Sequence, residues 1–178
     1  MLPTLHEQML IQAASKGMDS YLKVIIDSLN ESIGGELNAD TMTRLNGEQI
    51  TLLAYNLLRD EVMDGGFVQL IHNGLGPFIF MNPFAKAMRL WGEATEVETG
   101  TTYLHDFSKL LYKGRKLFEQ YGNELTNPCT DEEFMALFEQ YPAFDDLDDE
   151  FIETEEYITA TIAHYVDEHL ELFVAVEK

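Results

Sequence analysis

Apolar residues recur along most of this chain at intervals of three and four, the spacing of helices with one buried face. The clearest run is Met18, Leu22, Ile25, Ile26, Leu29 and Ile33, which predicts an amphipathic helix stopped by Gly34-Gly35. A weaker helical pattern precedes it, from about Leu5 to Ala14, and ends near Gly17. Asn46 and Gln49 have the spacing of a capping box, so a second strong helix is expected through Ile50, Leu53, Leu57 and Val62. Gly65-Gly66 breaks that helix, and Phe67 to His72 reads as a short buried helix beyond the break. Gly74-Leu-Gly-Pro77 reads as a turn.

Asn82-Pro83 predicts a cap followed by proline at the first helical position, opening a helix through Ala87 to Trp91. Gly92 to Gly100 reads as a loop. Tyr103, Phe107, Leu110, Leu111, Leu117, Phe118 and Tyr121 mark a further helix, weakened at Gly114. Thr130 and Glu133 suggest a capping box for a short helix ending near Gln140. Pro142 and an acidic run lead into the last helix, about Glu150 to Phe173. Period-two alternation is sustained nowhere, so the predicted class is all-α. With no repeat and no linker, the expectation is one multi-helix domain, residues 1–178, in which 1–45 add N-terminal helices. The eight methionines and the lone Trp91 fall at apolar positions and read as core.

Charge changes this picture more than composition does. Apolar residues at 46% are ordinary for a folded protein, whereas the net charge is −21. From Glu119 onward there are 18 Asp and Glu against one Lys, and no Lys or Arg lies between Lys116 and Lys178. Asp145 to Glu156 holds eight carboxylates in twelve residues. Such an excess repels nucleic acid and anionic membrane and favours basic protein surfaces. The single cysteine, Cys129, forms no internal disulfide, the N-terminal residues lack a signal-peptide pattern, and no apolar run approaches about 18 residues. A soluble cytoplasmic protein is the expectation.

On a helical wheel centred on Phe151, the residues Ile158, Ile162, Tyr165, Val166, His169, Leu172 and Phe173 fall within about 60°. Asp149, Glu153, Glu156, Asp167 and Glu171 fall opposite, with Glu150 and Glu168 flanking them. Acids three or four apart lie roughly 5–6 Å apart along the axis, and Asp145, Asp146, Asp148 and Asp149 adjoin the row as a loop. A DNA strand carries one phosphate per about 3.4 Å of rise. The row is sparser but phosphate-like. Two readings are open: a solvated helix face, or a surface for a basic partner.

No catalytic pattern competes with these. An EF-hand register from Asp146 supplies Asp148 and Glu150 but fails at Phe151 and Tyr157. None of the five histidines has an acid three residues before it, as a di-iron bundle needs, and His164 and His169 point different ways. His169 reads as a hydrogen-bonded core residue. Cys129 sits before the Thr130 cap with no nearby histidine in sequence to act as its base. Lys109, Lys113, Arg115 and Lys116 form a basic island suited to pairing with the protein's own carboxylates or a twin subunit's. No metal, cofactor or catalytic residue is expected.

The segment Glu61-Val-Met-Asp64-Gly65-Gly66-Phe67-Val-Gln69-Leu-Ile-His-Asn73 resembles the Glu-x-x-Asn-Gly-Gly-Phe-x-Gln-aromatic-aromatic-x-Asn signature of the acidic bacterial DNA-mimic protein family. Leu147-Asp-Asp-Glu-Phe151, opening an acidic C-terminal helix, is similar to that family too. The resemblance covers roughly residues 46–173. Asp64 stands where the family often has Asn, and Leu70-Ile71 replace its aromatic pair. The glycines are read as a tight reversal that seats Phe67, Gln69 and Asn73 inside.

The resemblance implies an all-helical, non-enzymatic homodimer that presents carboxylates to a basic DNA-binding protein, a transcription regulator among the candidates. Asp145, Asp146, Asp148, Asp149, Glu150, Glu153, Glu156, Asp167, Glu168 and Glu171 would then stand for phosphates. Two alternatives stay open: an immunity or antitoxin-like inhibitor of a basic enzyme, and a carboxylate-dependent metal enzyme.

Overall fold

The structure, a computed structural model, describes residues 2–178. It is all-α. Among the described residues the helices are α1 (Glu7–Ser15), α2 (Met18–Ser32), α3 (Ala39–Met42), α4 (Gly47–His72), α5 (Gly76–Phe80), α6 (Phe84–Thr99), α7 (Tyr103–Leu125), α8 (Asp131–Gln140) and α9 (Asp145–Glu168). Short 3-10 turns occupy Pro142–Phe144 and Leu170–Leu172. Two three-residue strands, β1 (Thr4–His6) and β2 (Ala175–Glu177), pair in parallel, Leu5 opposite Val176. No alternation announced them because each is too short to show a period.

Contacts within the chain gather into two units, one made of the segments up to Asn56 and from Thr159, the other of Leu57–Ile158. Both junctions fall inside helices, α4 and α9, so no linker composition marks them. In the first unit, α2 buries Leu22, Ile25, Ile26 and Leu29, as its spacing predicts. The Asn46–Gln49 capping box forms reciprocally: Gln49 N–H donates to Asn46 Oδ1 at 2.8 Å, and Asn46 N–H donates to Gln49 Oε1 at 2.9 Å. Their side-chain amides donate as well, Gln49 Nε2 to the Phe173 carbonyl at 2.9 Å and Asn46 Nδ2 to the Leu172 carbonyl at 2.8 Å. The cap that starts α4 therefore also fastens the C-terminal turn.

The second unit is built on an aromatic core. Phe67 meets Phe80 and Phe151 at ring-centroid distances of 6.2 and 6.5 Å, and Phe107 joins Phe151 at 5.7 Å. What seats Phe67 there is the break in α4. Gly65 has φ −148°, and Gly66 has φ 75° and ψ −178°, a conformation that essentially only glycine adopts. An added Cβ would force a neighbour to shift at both: on Gly65 it would lie 1.9 Å from Gln69 Oε1, and on Gly66 2.5 Å from Asp148 Oδ2. The break leaves the Phe67 N–H without its helical acceptor, and Asp148 Oδ1 accepts it at 2.8 Å. Asp148 thus caps the restarted helix from α9.

The signature's polar residues tie the two sides of the break together. Gln69 Nε2 donates to Glu61 Oε2 and to Asp64 Oδ2, both at 2.9 Å, and Asn73 Nδ2 donates to Glu61 Oε2 at 3.1 Å. Phe67 is buried, Gln69 half-buried and Asn73 exposed, so the expectation that all three point inside holds only for Phe67. Asn73 lies outside and reaches back to the half-buried Glu61 with its side-chain amide.

Four other expectations are corrected. Gly92 to Gly100 is not a loop: α6 runs to Thr99, and Gly92 is where α7 comes close, a Cβ there meeting Leu104 Cβ at 3.0 Å. Asn82 does not cap α6; its amide donates backward to the carbonyls of Pro77 and Phe78, closing α5. The last helix spans Asp145–Glu168 rather than 150–173, because carboxylates in a first turn are stabilised by its unpaired N–H groups. Among the methionines, Met88 is buried, but Met9, Met18, Met63, Met81 and Met135 are exposed on amphipathic surfaces.

Burial raises the Asp148 carboxyl from 3.8 to about 6; its neighbours Asp145 and Asp149 add to the rise, and the Phe67 hydrogen bond opposes it. The folded state therefore holds this proton more tightly than the unfolded chain, and ionisation above pH 6 costs stability. Asp148→Asn keeps an acceptor for Phe67 and removes the charge. It should be more stable than wild type near pH 8, with the advantage shrinking as pH falls from about 6 toward 3.8. Asp148→Ala, which also relieves the charge but orphans the Phe67 N–H, should be about 1–3 kcal/mol less stable than Asp148→Asn throughout. Gly66→Ala should lose at least about 1–3 kcal/mol from backbone strain alone. Urea unfolding of each variant across this pH range checks all three.

Candidate partner-binding surface

An α-helix whose inner face carries Leu147, Phe151 and Ile158 must turn the residues between them outward. Asp145, Asp146, Asp149, Glu153 and Glu156 are accordingly exposed on α9, and Glu150 is half-buried. The subset Asp146, Asp149, Glu153 and Glu156 is spaced three, four and three, so it forms one stripe about 15 Å long. Because α9 begins at Asp145, the whole run belongs to one rigid element, not to a loop joined to a helix.

Two acids of this region face inward. Asp148 is committed to Phe67 N–H, and Glu155 lies 3.7 Å from Arg59, both side chains largely shielded. Asp167, Glu168 and Glu171 are exposed but separate from the stripe, since residues 157–166 carry no acid. Asp167 Oδ1 accepts from the Tyr21 hydroxyl at 2.7 Å. Burial, reinforced by that bond and the Asp167 charge, holds Tyr21 well above the usual phenol range. Glu168 lies 3.2 Å from His164 Nε2, and Glu171 sits in the 3-10 turn beyond the helix.

The acidity is thus divided between structure and surface. Glu96, in the stretch whose composition reads as loop, is 6% exposed and caps α7: the Leu104 N–H donates to its Oε1 at 2.6 Å and the His105 N–H to its Oε2 at 3.4 Å. Thr102, the residue before α7, spends its hydroxyl on Asp106 instead. Neither Glu96 nor Asp148 could be sorted from the presented acids by pattern, because each is defined by a backbone N–H on another helix.

Within the basic island, Arg115 Nε reaches Glu119 Oε1 at 3.1 Å. Lys113 and Lys116 line a shallow depression of about 320 Å³ with Asp146 and Glu150, so this end of the stripe faces cations of the chain itself. Cys129 does have a histidine beside it: His72 Nε2 lies 4.0 Å from its sulfur, while Nδ1 meets the Leu125 carbonyl at 2.8 Å. The two are far apart in sequence, which is why the pairing was not visible there. Thr130 accepts from Glu133 N–H at 3.2 Å, forming half of the expected box. His169 is half-buried, its Nδ1 bonded to the Tyr165 carbonyl at 2.9 Å and its ring stacked on Tyr165. Among the described residues, no helix is long and apolar enough to cross a membrane.

Comparison with known proteins agrees with the signature. A family model described as DMP19-like protein matches residues 43–169, close to the 46–173 expected from the glycine and acidic motifs. The chain is 30% identical over 138 residues to the DNA mimic protein DMP19 of Neisseria meningitidis serogroup B, covering 77% of each protein. The matched span includes the Gly65-Gly66 break, its Asp148 cap and the acidic stripe of α9. On these grounds the chain belongs to the DMP19-like protein family.

Proposed function

We propose that this protein is a non-enzymatic DNA mimic that occupies the DNA-binding face of a basic protein and so competes with DNA for it. The observation that carries this reading is the exposed run Asp145, Asp146, Asp149, Glu153 and Glu156 on one helix, in a stretch with no Lys or Arg from residue 117 to 177. A relative bearing the name DNA mimic protein supports it. Carboxylates fixed on a helix keep their spacing when a partner approaches, as phosphates on a duplex do. The rigid scaffold reduces the ordering cost that a flexible acidic tail would pay on binding.

The presented set differs from the ten acids named by sequence. Asp148 serves the fold, and Asp167, Glu168 and Glu171 form a separate group with intramolecular partners for the first two. The partner class is a DNA-binding protein, a transcription regulator being the specific case proposed. The protein acts in the cytoplasm as a homodimer, which doubles the acidic surface offered to a two-fold symmetric DNA-binding protein.

Capture from a native bacterial lysate at low salt, with salt-gradient elution, tests the reading. A basic DNA-binding protein should be retained and displaced by duplex DNA; a partner that DNA does not displace overturns mimicry. Against that partner, the combined change Asp146→Asn, Asp149→Asn, Glu153→Gln and Glu156→Gln should weaken binding roughly tenfold or more, at about 0.2–1 kcal/mol per charge. It should also flatten the salt dependence. The variant should stay folded, because relief of self-repulsion along the stripe offsets the loss of the Asp146 charge at the helix start. Unchanged affinity would remove these residues from the interface.

A further inference from the structure

The acidic stripe does not end in solvent-facing polar residues. Tyr157 follows Glu156 directly and lies one helical turn beyond Glu153, so its side chain emerges from the same face of α9. It is 54% exposed. On one side its ring is stacked on Tyr103, the first residue of α7, with centroids 4.9 Å apart and planes 7° from parallel. The stacking fixes the ring, so an exposed aromatic surface is held beside two exposed carboxylates, Glu153 and Glu156.

That combination discriminates between the two cations a DNA-binding surface offers. A guanidinium is planar and weakly hydrated, stacks on an aromatic face, and donates in a fork to a carboxylate. An ammonium is a compact, strongly hydrated point charge that gains less from the ring. The carboxylates attract both cations and already favour the fork of a guanidinium; the ring adds a further preference for its planar, weakly hydrated face. Aromatic residues and arginine are also the types most enriched at the centres of protein interfaces.

We propose that Tyr157, braced by Tyr103 and flanked by Glu153 and Glu156, is an arginine-selective anchor within the acidic surface, occupied by a guanidinium side chain of the basic partner. The anchor rests on the acidic stripe being the binding face. It adds to the preference for arginine that the carboxylates themselves supply. The stacked pair lies at the C-terminal end of the stripe, so a guanidinium seated there sets the register of a partner lying along α9.

The test uses the full chain and two labelled peptides of equal length and charge, nona-arginine and nona-lysine, followed by fluorescence anisotropy at fixed ionic strength. Wild type should bind nona-arginine roughly two- to fivefold more tightly than nona-lysine, the scale of an exposed cation–π contact. Tyr157→Leu should lower that ratio at least twofold, by weakening nona-arginine and not nona-lysine, and Tyr157→Phe, which keeps the ring, should retain it. Equal affinities in wild type, or a parallel loss for both peptides in Tyr157→Leu, would overturn the anchor and leave the acidic stripe standing. Failure of both peptides to bind wild type would overturn the stripe as a cation-binding face, and the anchor with it.

Discussion

The hydrogen bond from the Phe67 N–H to the Asp148 carboxylate joins the two features that define this protein, its glycine break and its acidic helix. At Gly65-Gly66 the backbone leaves helical geometry and re-enters it, and the re-entry exposes a donor that no residue on α4 satisfies. Asp148 satisfies it from α9 and fits only because Gly66 has no Cβ. The contact sets the depth of Phe67 in the core against Phe80 and Phe151. It also fixes which way α9 faces: with Asp148 turned inward, Asp145, Asp146, Asp149, Glu153 and Glu156 are turned out. A structural carboxylate thus orients the presented ones.

The cost of this design lies in the charge of that carboxylate. Burial and the nearby Asp145 and Asp149 raise Asp148 to about 6, so at neutral pH it is an anion held against its environment. The same trade recurs at Glu96, a nearly buried acid that caps α7 across the helix–helix contact at Gly92. In a chain of net charge −21, two of the fold's capping groups, Asp148 and Glu96, are acids drawn from neighbouring helices. Spending some carboxylates inward and aligning others outward on one helix fixes the spacing of the surface charge.

Much of this was legible as pattern. The three-and-four spacing of Leu22, Ile25, Ile26 and Leu29, and the reciprocal cap of Asn46 and Gln49, rest on forces between residues close in sequence, and both appear as expected. The structure departs from local pattern where a distant residue overrides a local signal. Gly92 reads as a breaker by propensity, yet it lies mid-helix because α7 packs against it at Leu104. Asn82 reads as a forward cap but closes the preceding helix. Asp145 to Asp149 read as loop by composition, though the unpaired N–H groups of a helix start favour carboxylates there.

By itself, the sequence determined the all-α class, the polarity of charge toward the C-terminal third, the position of the break and the family, because each follows from residue types at short, fixed spacings. Only the tertiary structure decided which acids are structural and which are presented. Asp148, Asp149 and Glu155 are alike in type and close in sequence, yet one caps Phe67, one faces solvent and one lies beside Arg59. It also decided that Tyr103 stacks on Tyr157 at the end of the acidic stripe and that His72 sits beside Cys129. These pairings join residues dozens of positions apart, and no local pattern encodes which distant backbone or ring a side chain will meet.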